Sequence, residues 1–158
     1  MNVKEARNFA KEIFKNTYKI EVQLLDGGTL PCKAYPSDAG FDVFATEDVC
    51  LRFGEVIKTP LNFRMKLPVG SWARVETKSG LGSKGMLVFA GVIDRNYRNV
   101  PHVIATNLNK EEPIVVRKGE KIAQITMNPH GEDYYIEQVD KVDTDTDRGA
   151  GGFGSTGK

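Results

Sequence analysis

Cysteine and histidine are scarce in this chain, with two of each among 158 residues. Cys32 and Cys50 form no CxxC pair, and His102 and His130 have no ligand-type neighbours at metal-binding spacing. That argues against a zinc site or a disulfide framework and favours two free thiols in a reducing compartment. An excess of one charge is also missing. The formal net charge is +1, so no global field draws the chain to nucleic acid or to a membrane, and neither is expected as a partner. No apolar run approaches the ~20 residues that a bilayer span needs. The opening "MNVKEARNFAKEIFKNTYK" has no apolar core of the kind a secretory signal carries. A cytoplasmic-type location follows by default, and any anion site must come from a few local groups.

The length suits one domain with its own core, and 40% hydrophobic residues are enough to build it. Residues 2–16 have helical periodicity. Val3, Ala6, Phe9, Ala10, Ile13 and Phe14 recur at steps of three and four, with charged residues between them. The expectation is a packing helix, against the domain or a partner subunit. From Lys19 the period changes to two. "KIEVQLL" puts Ile20, Val22 and Leu24 on one face, "NFRMKL" does the same with Phe63, Met65 and Leu67, and "SWARVET" and part of "KIAQITM" alternate. Turn chemistry separates these runs in "DGG", "YPSDAG", "LPVG" and "RKGE". Many short strands with regular breaks predict an all-β antiparallel sandwich or barrel. "KSGLGSKG" (78–85) is the one short internal helix candidate, weakened by Gly80 and Gly82.

From Asp140 the chain loses its large apolar residues apart from Val142 and Phe153, which predicts a mobile arm. Its sequence "DRGAGGFGSTGK" fits two phosphate patterns. Gly149, Gly151 and Gly154 match G-x-G-x-x-G, and Gly152, Gly157 and Lys158 match most of a phosphate loop. Both patterns need a strand before them and a helix after. No βαβ alternation is present, so neither fold is available. A charge, an aromatic ring and two hydroxyls among glycines can instead close over a nucleotide.

Three polar residues sit where a plain sandwich has no use for them. Asp42 lies in an apolar strand start, Asp94 ends an apolar run with Tyr97 and Arg98 close behind, and Gln124 shares the strand parity of Ile122. Singly, each reads as a turn or sheet-edge group. As an ordered set they are more telling. With their surroundings they give "AYPSDAGFDVFA" (34–45), "ETKSGLGSKG" (76–85), "AGVIDRNYR" (90–98), "KGEKIAQI" (118–125) and "DRGAGGFGSTG" (147–157). This order resembles the five motifs of the trimeric dUTP pyrophosphatases, the dUTPases, and the resemblance runs from Ile20 to the C-terminus.

The resemblance implies a jelly-roll-like β-sandwich domain (19–140) followed by a flexible Gly-rich arm (141–158) that closes the active site; the helical extension expected over 1–18 lies outside it. It implies a homotrimer with sites shared between subunits. One chain supplies the first, second and fourth motifs, a neighbour supplies the third, and the remaining chain supplies the arm. The implied reaction is hydrolysis of dUTP to dUMP and pyrophosphate with Mg²⁺ on the triphosphate. Asp94 matches the carboxylate that activates water, since an ionised carboxylate can accept a proton. Asp42 matches a group acting indirectly, through the hydration of the metal or the setting of the site, and no protein group is implied as a direct metal ligand. Lys78, Ser79, Gly80 and Gln124 match phosphate contacts. Gly91, Val92, Ile93 and the segment Met86–Gly91, expected as a hairpin, match the uracil reader, and Tyr97 matches the ring under the deoxyribose. In the arm, Arg148, Ser155 and Thr156 match contacts to the terminal phosphate, and Phe153 with Gly154 the cover over the base. The location implied is cytoplasmic, or the interior of a host cell for a viral or phage chain, with the nucleus also open.

The chain departs from the family pattern in three places. Lys78 stands where arginine is common, Asn99 and Val100 follow Arg98 where Gly-Glu is common, and the link from Ser79 to Asp94 is slightly short. Two other readings were weighed. A dCTP deaminase would want a glutamate in the pocket segment, and "GMLVFAGVID" has none. A non-enzymatic binder would be favoured by loss of Asp94 or of the arm, and both are present.

Overall fold

A computed structural model describes residues 3–5, 7–9, 18–129, 136–142 and 145. Eleven strands make up nearly all of its regular structure: β1 (Glu21–Leu24), β2 (Gly40–Phe44), β3 (Val49–Leu51), β4 (Val56–Pro60), β5 (Phe63–Lys66), β6 (Ser71–Glu76), β7 (Met86–Val88), β8 (Val92–Ile93), β9 (His102–Asn107), β10 (Ile114–Val116) and β11 (Lys121–Pro129). The expected short helix is present as one turn, Ser79–Gly82. Residues 3–5 and 7–9 are helical, within the helix expected over 2–16. The rest of that stretch lies outside the described residues, as do Arg148, Phe153, Gly154, Ser155 and Thr156. Among the described residues, no helix is long and apolar enough to cross a membrane.

The strands form a four-stranded sheet in the order β2-β11-β6-β8, a three-stranded sheet β4-β9-β7, and the pairs β1-β5 and β10-β3. Every ladder is antiparallel. The architecture is a jelly-roll-like β-sandwich rather than a closed barrel. Alternation sets the faces: in β5, Phe63 and Met65 are buried while Arg64 and Lys66 are exposed. In β6 the buried pair is Ala73 and Val75, and in β9 Val103 and Ala105. All four sheets contribute to one apolar cluster, with Val43, Leu51, Phe63, Val103 and Ile122 at its centre. Removing each such side chain from water contributes roughly 1.5–3 kcal/mol. β1 departs from the expected pattern. Ile20 and Val22 pack against the cluster, but Leu24 on the same parity is 48% exposed, because the strand ends there and the chain turns at Asp26–Gly27.

Among the described residues, Asn107, at the end of β9, is the one polar residue with no exposure. Its Nδ2 donates to the carbonyls of Leu51 and Glu112, both at 3.0 Å, and its Oδ1 accepts from the Asn109 N–H at 2.8 Å. It thereby ties the three-stranded sheet to the β3-β10 pair. Replacement by leucine keeps the volume but leaves those groups unpaired. Asn107→Leu is expected to lose about 1–3 kcal/mol of stability in urea unfolding; a midpoint equal to the parent's would show that these bonds contribute nothing.

Candidate active site

Three adjacent strands build the first half of the site. β2, β11 and β6 are in register at Asp42, Gln124 and Glu76, which form one cross-strand row. Val43 points into the core with no exposure, so Asp42 belongs to the opposite face of the sheet. The register slips between Lys121 and Ala123: Lys121 lies opposite Phe44, and Gln124 opposite Asp42. Three steps on β11 therefore match two on β2. This bulge places Lys121 and Gln124, three residues apart, on the same face as Asp42. It also corrects the parity reading of Gln124. Ile122 and Ala123 are both fully buried, whereas Gln124 is half-buried on the site face.

Asp42 is 6% exposed and is held by two cations. Its Oδ1 accepts from Lys78 Nζ, and its Oδ2 lies 2.7 Å from Lys121 Nζ. Lys78 reaches it from the extended residue that follows β6. Gln124 Nε2 donates to the Thr77 carbonyl at 3.1 Å. Its Oε1 lies over Gly40, where a Cβ would come within 2.6 Å of it. Thr77 in turn accepts the Val88 N–H at its Oγ1, at 2.8 Å. Ser79 and Gly80 open the one-turn helix and are exposed. Their N–H groups have no preceding carbonyl within that helix to bond, and nothing lies within 4 Å of where a Gly80 Cβ would stand.

The second half lies beside β8. A cavity of about 310 Å³ is lined by Val75, Ala90, Gly91, Val92, Ile93 and Tyr97, with Lys58, Asn99, Pro101, His102 and Ile104 opposite. At Gly91 the lining is main chain. The Gly91 carbonyl accepts from the Val75 N–H at 2.8 Å, and a Cβ on Gly91 would lie 2.1 Å from the Val75 carbonyl oxygen. Ala90 holds φ at +51°, a conformation few side-chain-bearing residues adopt. Tyr97 is fixed at the rim by a turn in which its N–H donates to the Asp94 carbonyl at 3.0 Å. Its hydroxyl donates to the Val100 carbonyl at 3.1 Å. The same carbonyl accepts from His102 Nδ1 at 2.9 Å, and the Val100 N–H donates to Asn99 Oδ1 at 2.8 Å. Asn99 and Val100, which depart from the family pattern, thus brace the tyrosine. Asp94 follows Ile93 directly and is exposed, and its carboxylate makes no hydrogen bond or ion pair with another described residue.

The expected hairpin over Met86–Gly91 is not one. β7 pairs with β9 and β8 pairs with β6, in different sheets. The segment crosses from one sheet to the other, and Phe89 extends the β9 side by donating to the Ile104 carbonyl at 3.0 Å. Sequence reasoning missed Lys121, Thr77, His102 and Lys58. Lys121 had a signal, its place within "KGEKIAQI", but its direction depends on the bulge.

The two halves lie at opposite ends of β6. Ile93 is level with Ala73, and Asp94 extends beyond it, whereas Lys78 follows Glu76 at the other end. At ~3.3 Å per residue the Asp94 backbone and the Lys78 backbone are roughly 15–20 Å apart. Among the described residues no three His, Cys, Asp or Glu side chains converge on a metal position, and both Asp42 oxygens are occupied by lysines.

A family model described as dUTPase matches residues 26–157. The deoxyuridine 5'-triphosphate nucleotidohydrolase of Kluyveromyces lactis is 33% identical over 150 residues, covering 93% of this chain and 98% of that protein. A Pol polyprotein of ovine maedi visna related virus is 38% identical over 149 residues, 93% of this chain but 13% of the polyprotein. Among solved structures, a Staphylococcus bacteriophage 80alpha dUTPase mutant with dUpNHpp superposes with a TM-score of 0.78 at 24% identity, covering 89% of this chain and 99% of that one.

The lysine clamp has a consequence for acid stability. Burial pushes the Asp42 carboxyl up, but the hydrogen bonds and charges of Lys121 and Lys78 outweigh it and hold the group below its ordinary value of 3.8. A carboxyl held down in the folded state contributes stability that is full above its unfolded pKa and lost as pH falls through its folded one. The contribution of Asp42 is therefore intact above about pH 5 and lost progressively below about pH 4. Asp42→Asn should flatten the fall in urea midpoint between neutral and strongly acid pH. An unchanged acid slope would remove Asp42 as the titrating group.

Proposed function

The chain belongs to the dUTPase family, and from that membership we propose that it hydrolyses dUTP to dUMP and pyrophosphate, keeping uracil out of DNA and supplying dUMP for thymidylate synthesis. The observation that carries this reading is the position of Asp94. It is an exposed, unengaged carboxylate one residue beyond Ile93, which lines a cavity that Gly91 also lines, there with main chain.

In this reading the uracil enters that cavity. Backbone groups at Gly91, Val92 and Ile93 pair with its edge, and cytosine, with donor and acceptor exchanged, would leave them unpaired. The Tyr97 ring, braced through Val100, packs under the deoxyribose and leaves no room for a 2′-hydroxyl. Lys78, Ser79, Gly80 and Gln124 meet the phosphates, and Mg²⁺, held by phosphate oxygens and water, neutralises part of their charge. Asp42 then acts through its lysines. Asp94 accepts a proton from the attacking water as its oxygen bonds to the α-phosphorus. The bond from that phosphorus to the bridging oxygen breaks, and pyrophosphate leaves with the electron pair. No glutamate lines the cavity, which disfavours deamination of a cytosine nucleotide.

The separation of Asp94 from Lys78 along β6 supports a site completed by another copy. We place the third motif of one chain against the first, second and fourth of its neighbour in a homotrimer. The arm (141–158) of the remaining chain closes over it with Arg148, Phe153, Gly154, Ser155 and Thr156, a lid that orders on binding.

With Mg²⁺ the protein should release pyrophosphate from dUTP, with dCTP, dTTP and UTP poor substrates; equal turnover of dCTP would exclude the reading. Asp94→Asn should lower kcat by about 10²–10⁴-fold while dUpNHpp still binds, and surviving turnover would exclude Asp94 as the base. Asp94→Asn and Ser79→Ala chains, each impaired alone, should regain part of the parental rate when co-expressed. No recovery would argue that each chain builds its own site.

A further inference from the structure

We propose that Lys121 is a positioning residue: by remaining on Asp42 it keeps that buried carboxylate compensated while Lys78 leaves it to meet the substrate's phosphates. The inference rests on the dUTP-binding reading above and deepens it.

The starting point is an imbalance of charge. One carboxylate is paired with two ammonium groups, one at each oxygen. The Asp42 side chain is 9% exposed, those of Lys78 and Lys121 27% and 45%. A single lysine would balance the acid's charge, and the second exceeds that balance. Removing the only partner of a buried ion is strongly unfavourable, because the remaining charge is left uncompensated in a medium that solvates it poorly. With one lysine, then, a triphosphate would have to compete with Asp42 for it. With two, Lys78 can move while Lys121 Nζ stays at Oδ2.

Lys78 is the member suited to leave. It directly precedes Ser79 and Gly80, and open space lies over Gly80. Its ammonium is a point charge on a flexible four-carbon stem and can pass from a carboxylate to a phosphate without breaking a bidentate fork; an arginine would have to. Lys121 is the member suited to stay. It projects from β11 at the bulge, where the strand is paired with Phe44 of β2 and is three residues from the start of its pairing with β6. Its ammonium is held protonated more firmly than an ordinary lysine by the hydrogen bond and charge of Asp42.

The test is a set of variants titrated with dUpNHpp in the presence of Mg²⁺, with melting temperature followed in parallel. Lys121→Met should weaken binding about tenfold or more, and Lys121→Arg should restore it. Lys78→Met should weaken binding in the parent but add little in the Lys121→Met background, because there Lys78 is already confined to Asp42. The decisive arm is Asp42→Asn. With no carboxylate to compensate, Lys121→Met should cost nothing in that background. A full loss there would mean that Lys121 touches phosphate itself and would overturn the proposal, as would unchanged affinity in Lys121→Met alone or strictly additive losses. If Lys121→Met fails to fold, Lys121→Gln and the Asp42→Asn pair carry the same comparison. Should the unaltered chain bind dUpNHpp but release no pyrophosphate from dUTP, the catalytic reading fails and the lysine comparison still decides the proposal; no binding by the unaltered chain overturns both.

Discussion

Two-sided pairing of β11 is the constraint on which the rest of the site depends. The strand is hydrogen-bonded to β2 along one edge and to β6 along the other, so its register fixes both neighbours at once. The slip between Lys121 and Ala123 then decides which side chains face the core. Ile122 and Ala123 both enter it, while Lys121 and Gln124 emerge on the side of Asp42. Were β11 regular over these residues, strict alternation would send Lys121 and Gln124 to opposite faces. The ion cluster and the amide that holds Thr77 would then have no common surface.

That surface has the polarity of an anion site although the chain as a whole is almost neutral. The positive charge is local, two lysines against one buried acid, and it lies beside exposed main-chain donors at the start of a one-turn helix. The cavity beside β8 differs from it, with Gly91 main chain on one side and an aromatic ring, Tyr97, in its lining. In the proposed reading these two regions match the two parts of a nucleotide, a flat base with a polar edge joined to a charged tail. Asp94 and Lys78 themselves lie at opposite ends of β6, separated by the length of a strand.

Much of the fold was legible in the sequence because it rests on local periodicity. The alternation of Phe63, Met65 and Leu67 and of Ala73 and Val75 survives intact, and the glycine-weakened turn at Ser79–Gly82 forms where its residues predict it. The failures share a physical cause, since they depend on pairing between segments distant in sequence. Gln124 was assigned by counting twos through a strand that breaks the count. The resemblance implies a hairpin over Met86–Gly91, yet β7 and β8 join different sheets. Leu24 followed the parity of Ile20 and Val22 but lies where the strand ends. Asn107, with three buried bonds, resembles any polar residue at a strand end until the β3-β10 pair is seen beside it. The candidate site was legible as a list of residue types in order. Its geometry, including the Lys121 contact and the bracing of Tyr97 by Asn99 and Val100, was not.

The approach of Gly91 to the Val75 carbonyl limits how this pocket can change over generations. No side chain can be introduced there without pushing two strands of the four-stranded sheet apart, so the lining at that point is main chain in every viable descendant that keeps this pairing. Drift can retune the lining where Asn99, His102 and Lys58 offer side chains, but it has nothing to exchange at Gly91. What the backbone accepts at that point is inherited with the fold.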